Sequence, residues 1–545
     1  MPIYTIGELK AVEPNYVHFQ KKYWPVVTQM FYEKHGENIL TDASIVQEVL
    51  LEHFKFFCDK FMDVLNSDDR ASFFLFVHYL HEDSIELYRM QLVGEDPAVK
   101  IDFAAVRRVL KYVLEQGCHM KMKGHQFYFR EICDNHEAYL LRLEELLYIG
   151  IRAMELVENI AKSKISPKAI SLAIHESEFT VYTNPPYNSL YKFVYEDSKK
   201  HSSKVEVSKS MNEFKQVVSN EVGINYDKAV GFSFGQIGDK RQRFGSFDLD
   251  QLIDMLHDSD GYPKDALRIF YKGMMVTNEN ALSIGDCILK TQHLSRYMYR
   301  PILRYAIDGK DRFFTGAHKW LESLSQVSTN CIPFGQYPPE WNELPPLKKF
   351  MEKVQNTHDR ILEDPAFEII QNAGWKVDRN IKNLKKPKNR NLSVVKPGIG
   401  EFDMIFLDET EKMIYIAECK HNRSRFEYYN WARDTSNFVE TYEKQLNNKF
   451  HWIEQNIAHV LEHFEELYKV KISDKEKYSV LPLFMINAPT LYMYDSDYLV
   501  LTLYDLELFI KGEYIETVFN GQINGKDVQL TKPYFKNAAN LLSNS

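Results

Sequence analysis

The 545-residue sequence predicts a multidomain α+β protein, and three observations along the chain support this fold class. Apolar residues recur at helical spacing through the first 165 residues. Clusters of β-forming residues begin after Pro167, and a proline-rich stretch separates them from a later succession of helix and strand patterns. We therefore predict four segments, which are a helical domain at 1–165, a mixed α+β region at 166–332, a linker at 333–346 and an α/β domain at 347–545.

Two apolar stripes predict long helices in the N-terminal domain. From Ile45 to Leu65 the apolar positions are spaced three and four residues apart, which is one face of a helix. Thr41 or Asp42 is a suitable N-cap for it. A second stripe runs from His136 to Ile160, and we interpret both stripes as faces that pack in the core.

Short runs of β-forming residues predict strands in the middle region. These runs lie at 169–174, 179–182 and 190–195, and Asn184-Pro185-Pro186 predicts a turn after the second.

A glycine-rich segment, Gly231 to Gly238, resembles a phosphate-binding loop only superficially. Asp239-Lys240-Arg241 follows its last glycine, whereas a P-loop requires Lys-Ser/Thr there, and no apolar helix follows as in a dinucleotide-binding fold. We expect a glycine-rich turn and no nucleotide cofactor.

Composition and charge exclude several classes of protein. The net charge of −9 excludes a uniformly basic nucleic-acid coat, so any nucleic-acid contact must come from a local patch. No apolar run is long enough for a membrane span, and the N-terminus lacks the pattern of a signal peptide, so we expect a soluble cytoplasmic protein. The six cysteines are scattered without Cys-x-x-Cys spacing, which argues against disulfides and structural zinc.

The segment after the proline-rich linker contains the candidate catalytic residues of the chain. Residues 347–373 predict helical structure with a break near Asp364-Pro365, and strands are predicted at 375–381, 401–407 and 413–417. The third strand runs directly into Glu418-Cys419-Lys420.

Three charged residues are expected to meet at the end of these strands. Glu418 and Lys420 lie two residues apart and point to the same face, and Asp403 lies on the neighbouring strand of the hairpin. Burying such charges is costly unless a cation or a partner compensates them. Two carboxylates are oxygen ligands suited to Mg²⁺ or Mn²⁺, and Lys420 is placed to orient water or neutralise charge on a phosphate.

The acid-x-Lys pattern alone is not specific, because it recurs elsewhere in the chain. Only the copy at Glu418 follows a five-residue apolar strand that is preceded by an acid-bearing strand. The other copies begin at Glu8, Asp197, Glu213 and Asp308.

The order helix, strand, Asp403 strand and Glu418-x-Lys420 strand resembles the PD-(D/E)xK nuclease superfamily. The resemblance covers roughly residues 347–512 and implies a restriction-endonuclease-like fold, with a central mixed sheet flanked by helices. It also implies that Asp403 and Glu418 are metal ligands and that Lys420 is the catalytic lysine.

The same resemblance extends to residues outside the three-residue pattern. Glu363, on the leading helix, suits a further metal ligand, and a helix after the third strand offers Tyr442 and Gln445 as supporting residues of the site. The proline of the family pattern is absent before Asp403. Glu401 points to the same strand face and is an alternative to Asp403 as ligand.

A basic segment links the first two predicted strands. Residues 376–390 contain seven positive charges and one acid, Asp378, and a second basic run extends from Lys420 to Arg425. Next to a phosphodiester-cleaving centre, contact with nucleic-acid phosphates is the favoured interpretation, and a solvated loop is the alternative. The expected nucleic-acid-binding residues are Lys382, Lys385, Lys386, Lys388, Arg390, Arg423 and Arg425.

These patterns together predict a Mg²⁺-dependent DNA endonuclease. The overall layout is similar to that of Shedu-type anti-phage nucleases, which implies a role in bacterial restriction or anti-phage defence. A homo-oligomer is expected, since two sites are needed to cut two strands. The alternatives are a non-catalytic nucleic-acid-binding or assembly protein that retains the fold, and a nuclease acting on RNA.

Overall fold

The computed structural model of this chain has a mixed α+β fold. It describes residues 3–12, 16–94, 102–124, 137–201, 208–235, 243–357, 359–387, 390–396, 398–423, 427–523 and 526–543. Within these ranges, no helix is both long enough and apolar enough to cross a membrane.

Helices dominate the N-terminal region, as the apolar stripes predict. The stripe at 45–65 forms helix Ala43–Leu65, and its N-cap is Asp42, whose carboxylate accepts hydrogen bonds from the backbone N–H groups of Ser44 and Ile45. The elements of this region are strands Ile3–Ile6, Leu9–Val12 and Lys121–Met122, and helices Tyr16–His35, Ala43–Leu65, Ala71–Leu92, Phe103–Gly117 and Glu137–Ile165.

The middle region combines strands and helices, and the strands predicted at 169–174 and 179–182 form a hairpin. The strand predicted at 190–195 is wrong, because this segment lies in helix Tyr187–Ser198. Its buried residues Leu190, Tyr191 and Val194 have the spacing of one helical face, and this spacing outweighs their β propensity.

Short strands and helices alternate along the rest of this middle region. Its strands are Ile170–His175, Glu178–Thr183, Phe244–Phe247, Met275–Val276, Ile302–Ile307 and Lys310–Gly316. Its helices are Tyr187–Ser198, Ser208–Val217, the π-helix Val218–Val222, Tyr226–Gly235, Leu249–Asp260, Lys264–Gly273, Ile284–Leu289 and Ala317–Asn330.

The glycine-rich segment is helical in the part that the structure describes. Gly231 and Gly235 lie in helix Tyr226–Gly235, so the predicted turn is wrong for these two residues. The remainder of the motif, with Gly238, lies outside the described residues.

The proline-rich segment is packed rather than extended. It contains the short 3-10 helices Ile332–Phe334 and Pro339–Glu343. Trp341 is buried between the rings of Phe214 and Phe270, at ring centroid distances of 5.5 and 5.7 Å. Its indole N–H donates a hydrogen bond to the backbone oxygen of Phe270. The division into domains at this segment stays a prediction.

A five-stranded mixed sheet forms the centre of the C-terminal region. Its strands, in spatial order, are Lys376–Ile381, Phe402–Asp408 (the Asp403 strand), Met413–Lys420 (the Glu418 strand), Ser479–Ile486 and Leu499–Leu501. Each of the first three strands is antiparallel to its neighbour, and the last two run parallel to the Glu418 strand. The parallel pairing requires a crossover, which helices between residues 428 and 468 provide.

Helices flank this sheet on both faces. The leading helical segment is two helices, Pro345–Thr357 and Arg360–Asn372, and the predicted break at 364–365 is wrong because Pro365 lies inside the second helix. The other elements are strands Asn383–Lys386, Arg390–Ser393, Phe519–Ile523 and Lys526–Leu530, and helices Tyr428–Asn437, Phe438–Tyr442 (π), Glu443–Glu454 (the Lys449 helix), Ile457–Tyr468, Lys475–Lys477 (3-10), Leu491–Asp495, Leu503–Ile510 and Tyr534–Ser543.

Candidate active site

Asp403 and Glu418 lie opposite each other on neighbouring antiparallel strands. The register pairs Met404 with Ala417. Asp403 precedes Met404 and Glu418 follows Ala417, so the two acids occupy the adjacent position of this antiparallel pair. The Asp403 carboxylate accepts a hydrogen bond from the backbone N–H of Cys419 at 2.9 Å. Both acids therefore point to one face of the sheet, where the Lys449 helix packs.

A lysine that the sequence patterns did not single out, Lys449, joins the two carboxylates. Its Nζ lies 3.3 Å from Asp403 Oδ1 and also bonds Glu418 Oε2. Glu418 and Lys449 are both buried, with exposed fractions of 3% and 4%. The signal was available in the sequence, because Lys449 lies three residues after Leu446 and four before Ile453, and therefore on the apolar face of its helix.

Gln445 itself is not brought into the site. It is exposed on the first turn of the Lys449 helix, and none of the described hydrogen bonds joins it to Asp403 or Glu418. The structure therefore does not bring Gln445 to the carboxylates, and the buried polar residue of this helix beside them is Lys449.

Lys420 provides a second ammonium group beside the acids. Its Nζ lies 2.7 Å from Glu418 Oε1 and 4.7 Å from the ring centroid of Tyr442. Each oxygen of Glu418 is thus paired with a different lysine, Lys420 on one side and Lys449 on the other. Two carboxylates and two ammonium groups form a balanced buried cluster.

Burial and these neighbours shift the pKa values of the two acids in opposite directions. Burial, together with the charge of Glu418, raises the pKa of Asp403 to about 6, against the opposing effect of Lys449. Burial would also raise the pKa of Glu418, but Lys449 and Lys420 outweigh it and lower that pKa. Glu418 is therefore the firmly ionised member of the pair.

Glu363, on helix Arg360–Asn372, is a third buried acid close to this cluster. Asn380 donates a hydrogen bond from Nδ2 to Glu363 Oε2 at 3.2 Å, and the backbone of Asn380 is left-handed, with φ of 53°. Burial, followed by the charge of Asp403, raises the pKa of Glu363 to about 7. No described contact links Glu363 directly to Lys449 or Glu418.

The donor set of this cluster fits a hard divalent cation in its chemistry. Asp403 and Glu418 direct carboxylate oxygens at a single cationic atom, Lys449 Nζ, and oxygen ligands are what Mg²⁺ and Mn²⁺ prefer. Across the described residues, however, no group of three His, Cys, Asp or Glu side chains is arranged to hold a metal. An ion at this site would need Lys449 to release at least one carboxylate.

The basic segment forms a hairpin, and its residues differ in their surroundings. Lys385 is exposed, the exposed Lys382 pairs with Glu401 at 3.1 Å, and Lys386 Nζ lies 3.4 Å from His459 Nε2. Glu401 therefore contacts Lys382 rather than sharing the place of Asp403. Lys388, Arg425 and the side chain of Arg390 lie outside the described residues.

Arg423 is directed toward the middle region instead of solvent. It donates a hydrogen bond from Nη2 to the backbone oxygen of Gln292 at 3.1 Å, and its guanidinium carbon lies 5.9 Å from the ring centroid of Tyr299. Arg423 thus makes a packing contact between two parts of the chain, and its contact with nucleic acid stays a prediction.

Compared with known proteins, the chain matches no family model, no curated protein and no solved structure.

Proposed function

We propose that this protein is a divalent-metal-dependent DNA endonuclease. The observation that carries the proposal is the convergence of Asp403 and Glu418 on one buried cationic atom, with Lys420 bonded to the second oxygen of Glu418. Two acids and a lysine of this kind are costly to bury in a merely structural role. Clusters of buried, mutually perturbed acids are more typical of functional sites.

The proposed roles of the residues follow from their positions. Asp403 and Glu418 would hold the divalent cation, with Glu363 as a further acid nearby, and the chemistry that such an ion supplies is activation of water and neutralisation of charge on a phosphate. Lys420 would donate hydrogen bonds to the scissile phosphate or to the attacking water. The ring of Tyr442 lies against the ammonium of Lys420 and stabilises its positive charge.

DNA is proposed as the substrate because a basic hairpin directly follows strand Lys376–Ile381, the neighbour of the Asp403 strand. Residues 383–386 and 390–393 form this hairpin, and it carries Lys385 and Lys386. A second copy of the chain would supply the second active site that cleavage of both DNA strands requires. A role in bacterial defence rests only on the similarity of the overall layout to Shedu-type anti-phage nucleases.

One observation favours a second candidate function, a non-catalytic nucleic-acid-binding protein. Lys449 already compensates both carboxylates, so the cluster is electrostatically complete without an added cation. Binding of duplex DNA that persists in EDTA, with no cleavage when Mg²⁺ is added, supports this second candidate. Preferential cleavage of RNA in a competition with DNA supports the RNA-directed alternative.

The test of the proposed site separates binding from cleavage. Lys420→Ala should abolish cleavage of a labelled DNA duplex in Mg²⁺ and leave duplex affinity in EDTA unchanged. Lys444→Ala removes an exposed lysine at the start of the Lys449 helix and serves as the matched control. A Lys420→Ala protein that cleaves as fast as the parent would overturn the assignment of the site.

A further inference from the structure

A cavity remote from the acidic cluster is lined by an excess of positive charge. Its volume is about 710 Å³, within the usual range for small-molecule sites, and it is bounded by helices Ala71–Leu92, Phe103–Gly117 and Ala317–Asn330. Among the described residues, five cationic side chains and three carboxylates line it. The cationic residues are Arg89, Arg107, Arg108, Lys111 and Arg296.

Four of these five cations have a carboxylate partner. Arg89 pairs with Glu86 at 2.6 Å, Arg108 pairs with Glu427 at 3.0 Å, and Arg107 pairs with Glu322. The buried Arg296 pairs with Glu115 at 2.8 Å, and Glu115 is not one of the residues that line the cavity. These pairs fix the guanidinium groups and neutralise their charge within the protein.

The fifth cation, Lys111, has no such partner. It is half-buried in helix Phe103–Gly117, and no hydrogen bond or ion pair joins it to any residue that the structure describes. Burial, and next the charge of Arg296, lower the pKa of Lys111 to about 7. Keeping the Lys111 ammonium charged in this position costs free energy, because it is partly removed from water. A bound anion would compensate this cost.

The arginines beside Lys111 suit one class of anion in particular. Arg107 and Arg108 each contact their carboxylate through one terminal nitrogen, and a guanidinium has five N–H donors in all. A phosphate group has several acceptor oxygens at the spacing of such donors, which makes arginine its usual protein partner. The aromatic rings of Tyr88 and Tyr112 also line the cavity.

We propose that this cavity binds a small phosphorylated ligand, whose phosphate pairs with Lys111 and bonds the edges of Arg107 and Arg108. The ligand is either an inorganic polyphosphate or a nucleotide, since both present the same phosphate chemistry. This site is independent of the proposed nuclease activity, because none of its residues belongs to the acidic cluster.

The test is calorimetric titration of the full-length protein with pyrophosphate and, separately, with ATP, both in EDTA. At least one probe should bind, and Lys111→Met should weaken its affinity at least about tenfold, as expected for loss of a charged hydrogen bond. Lys55→Met, which removes an exposed helical lysine, should leave the affinity unchanged. Binding of ATP alone identifies a nucleotide site, and binding of pyrophosphate with similar affinity identifies a polyphosphate site.

Three results would overturn the proposal. They are binding of neither probe, equal affinity in the parent and Lys111→Met, and a loss of affinity caused by alanine at Lys382, Lys385 and Lys386 instead. Lys111→Gln keeps a polar side chain without the charge and should also weaken the affinity at least about tenfold. This variant keeps the proposal testable even where Lys111→Met does not fold.

Discussion

At the scale of single residues, the central finding is that the ammonium group of Lys449 pairs with the carboxylates of both Asp403 and Glu418. Its ammonium is within bonding distance of both carboxylates, and the pKa of Lys449 is raised because these charges outweigh the effect of burial. The sequence indicates that the acids need a positive partner, and in the structure this partner is a lysine of the chain itself.

Replacing Lys449 tests this role. Lys449→Met leaves two buried carboxylates without their shared partner and should lower the free energy of unfolding by about 3–5 kcal/mol in EDTA. Because the oxygens then become available to another cation, Mg²⁺ should restore part of the loss. The measurement is urea unfolding of the variant with Mg²⁺ and with EDTA.

Lys444→Met is the matched control for this change, since Lys444 is exposed on the same helix. Two results would contradict the view that Lys449 lies where a metal ion would bind. One is a Lys449→Met protein as stable as the parent, and the other is a variant whose stability does not change when Mg²⁺ is added.

At the scale of elements, the strands next to the acids were the most predictable part of the chain. The strands observed at 376–381, 402–408 and 413–420 match predictions that rest on apolar runs bounded by polar turns. Segment 190–195 was not predictable in this way, because an aromatic helix face and a strand share their residue types. Lys449 was missed although it lies on the apolar face of its helix, because a lysine on such a face is usually expected to extend its ammonium to solvent.

A histidine joins two elements that are distant in the sequence. His201, after helix Tyr187–Ser198, lies 3.0 Å from Asp197 Oδ2 and 2.7 Å from Asp505 Oδ1 on helix Leu503–Ile510. Burial alone would lower the pKa of His201, but its hydrogen bonds to Asp197 and Asp505 outweigh this effect and raise the pKa to about 9. His201 is therefore doubly protonated at neutral pH.

This raised pKa predicts a stability change in the alkaline range. The protonated His201 contributes its full amount to the free energy of unfolding below pH about 6.5, where this histidine is protonated in the unfolded chain as well. This contribution is lost as the pH rises through the folded-state pKa of about 9. His201→Gln should remove up to about 3 kcal/mol at pH 6 and much less at pH 9. Urea unfolding across this range checks it, with the exposed His175→Gln as control. An equal loss at both pH values contradicts the linkage.

The basic hairpin is a second element with a testable role. Alanine at Lys382, Lys385 and Lys386 together should weaken DNA binding and reduce the slope of log affinity against log salt by up to about 3, one for each phosphate that no longer pairs with a lysine. Fluorescence anisotropy at several salt concentrations measures this slope. Unchanged affinity and an unchanged slope would show that these lysines are solvated surface residues that do not contact DNA.

At the scale of the whole molecule, the predicted segments are packed against one another. Tyr191 of the middle region lies 5.0 Å from the ring centroids of both Tyr428 and Phe535 in the C-terminal region. Helix Glu137–Ile165 contacts helix Tyr428–Asn437, which begins shortly after Lys420. Sequence patterns indicate where elements begin and end, but contacts between residues hundreds of positions apart depend on packing that no local pattern encodes.

The proline-rich segment allows a direct test of this packing. Trp341→Ala should lower the free energy of unfolding by about 3–5 kcal/mol, because a buried ring and its hydrogen bond are both removed. Tyr337→Ala, in the same segment but only half-buried, should cost clearly less. Denaturant unfolding compares the two. A Trp341→Ala protein as stable as the parent would support a flexible linker instead.

Cleavage of supercoiled plasmid DNA by the full-length protein tests the central claim most directly. We expect nicked or linear product in Mg²⁺, none in EDTA, and none with Glu418→Gln in either condition. Intact plasmid in Mg²⁺, or cleavage that Glu418→Gln retains, would contradict the assignment of Asp403, Glu418 and Lys420 as the active site of a nuclease.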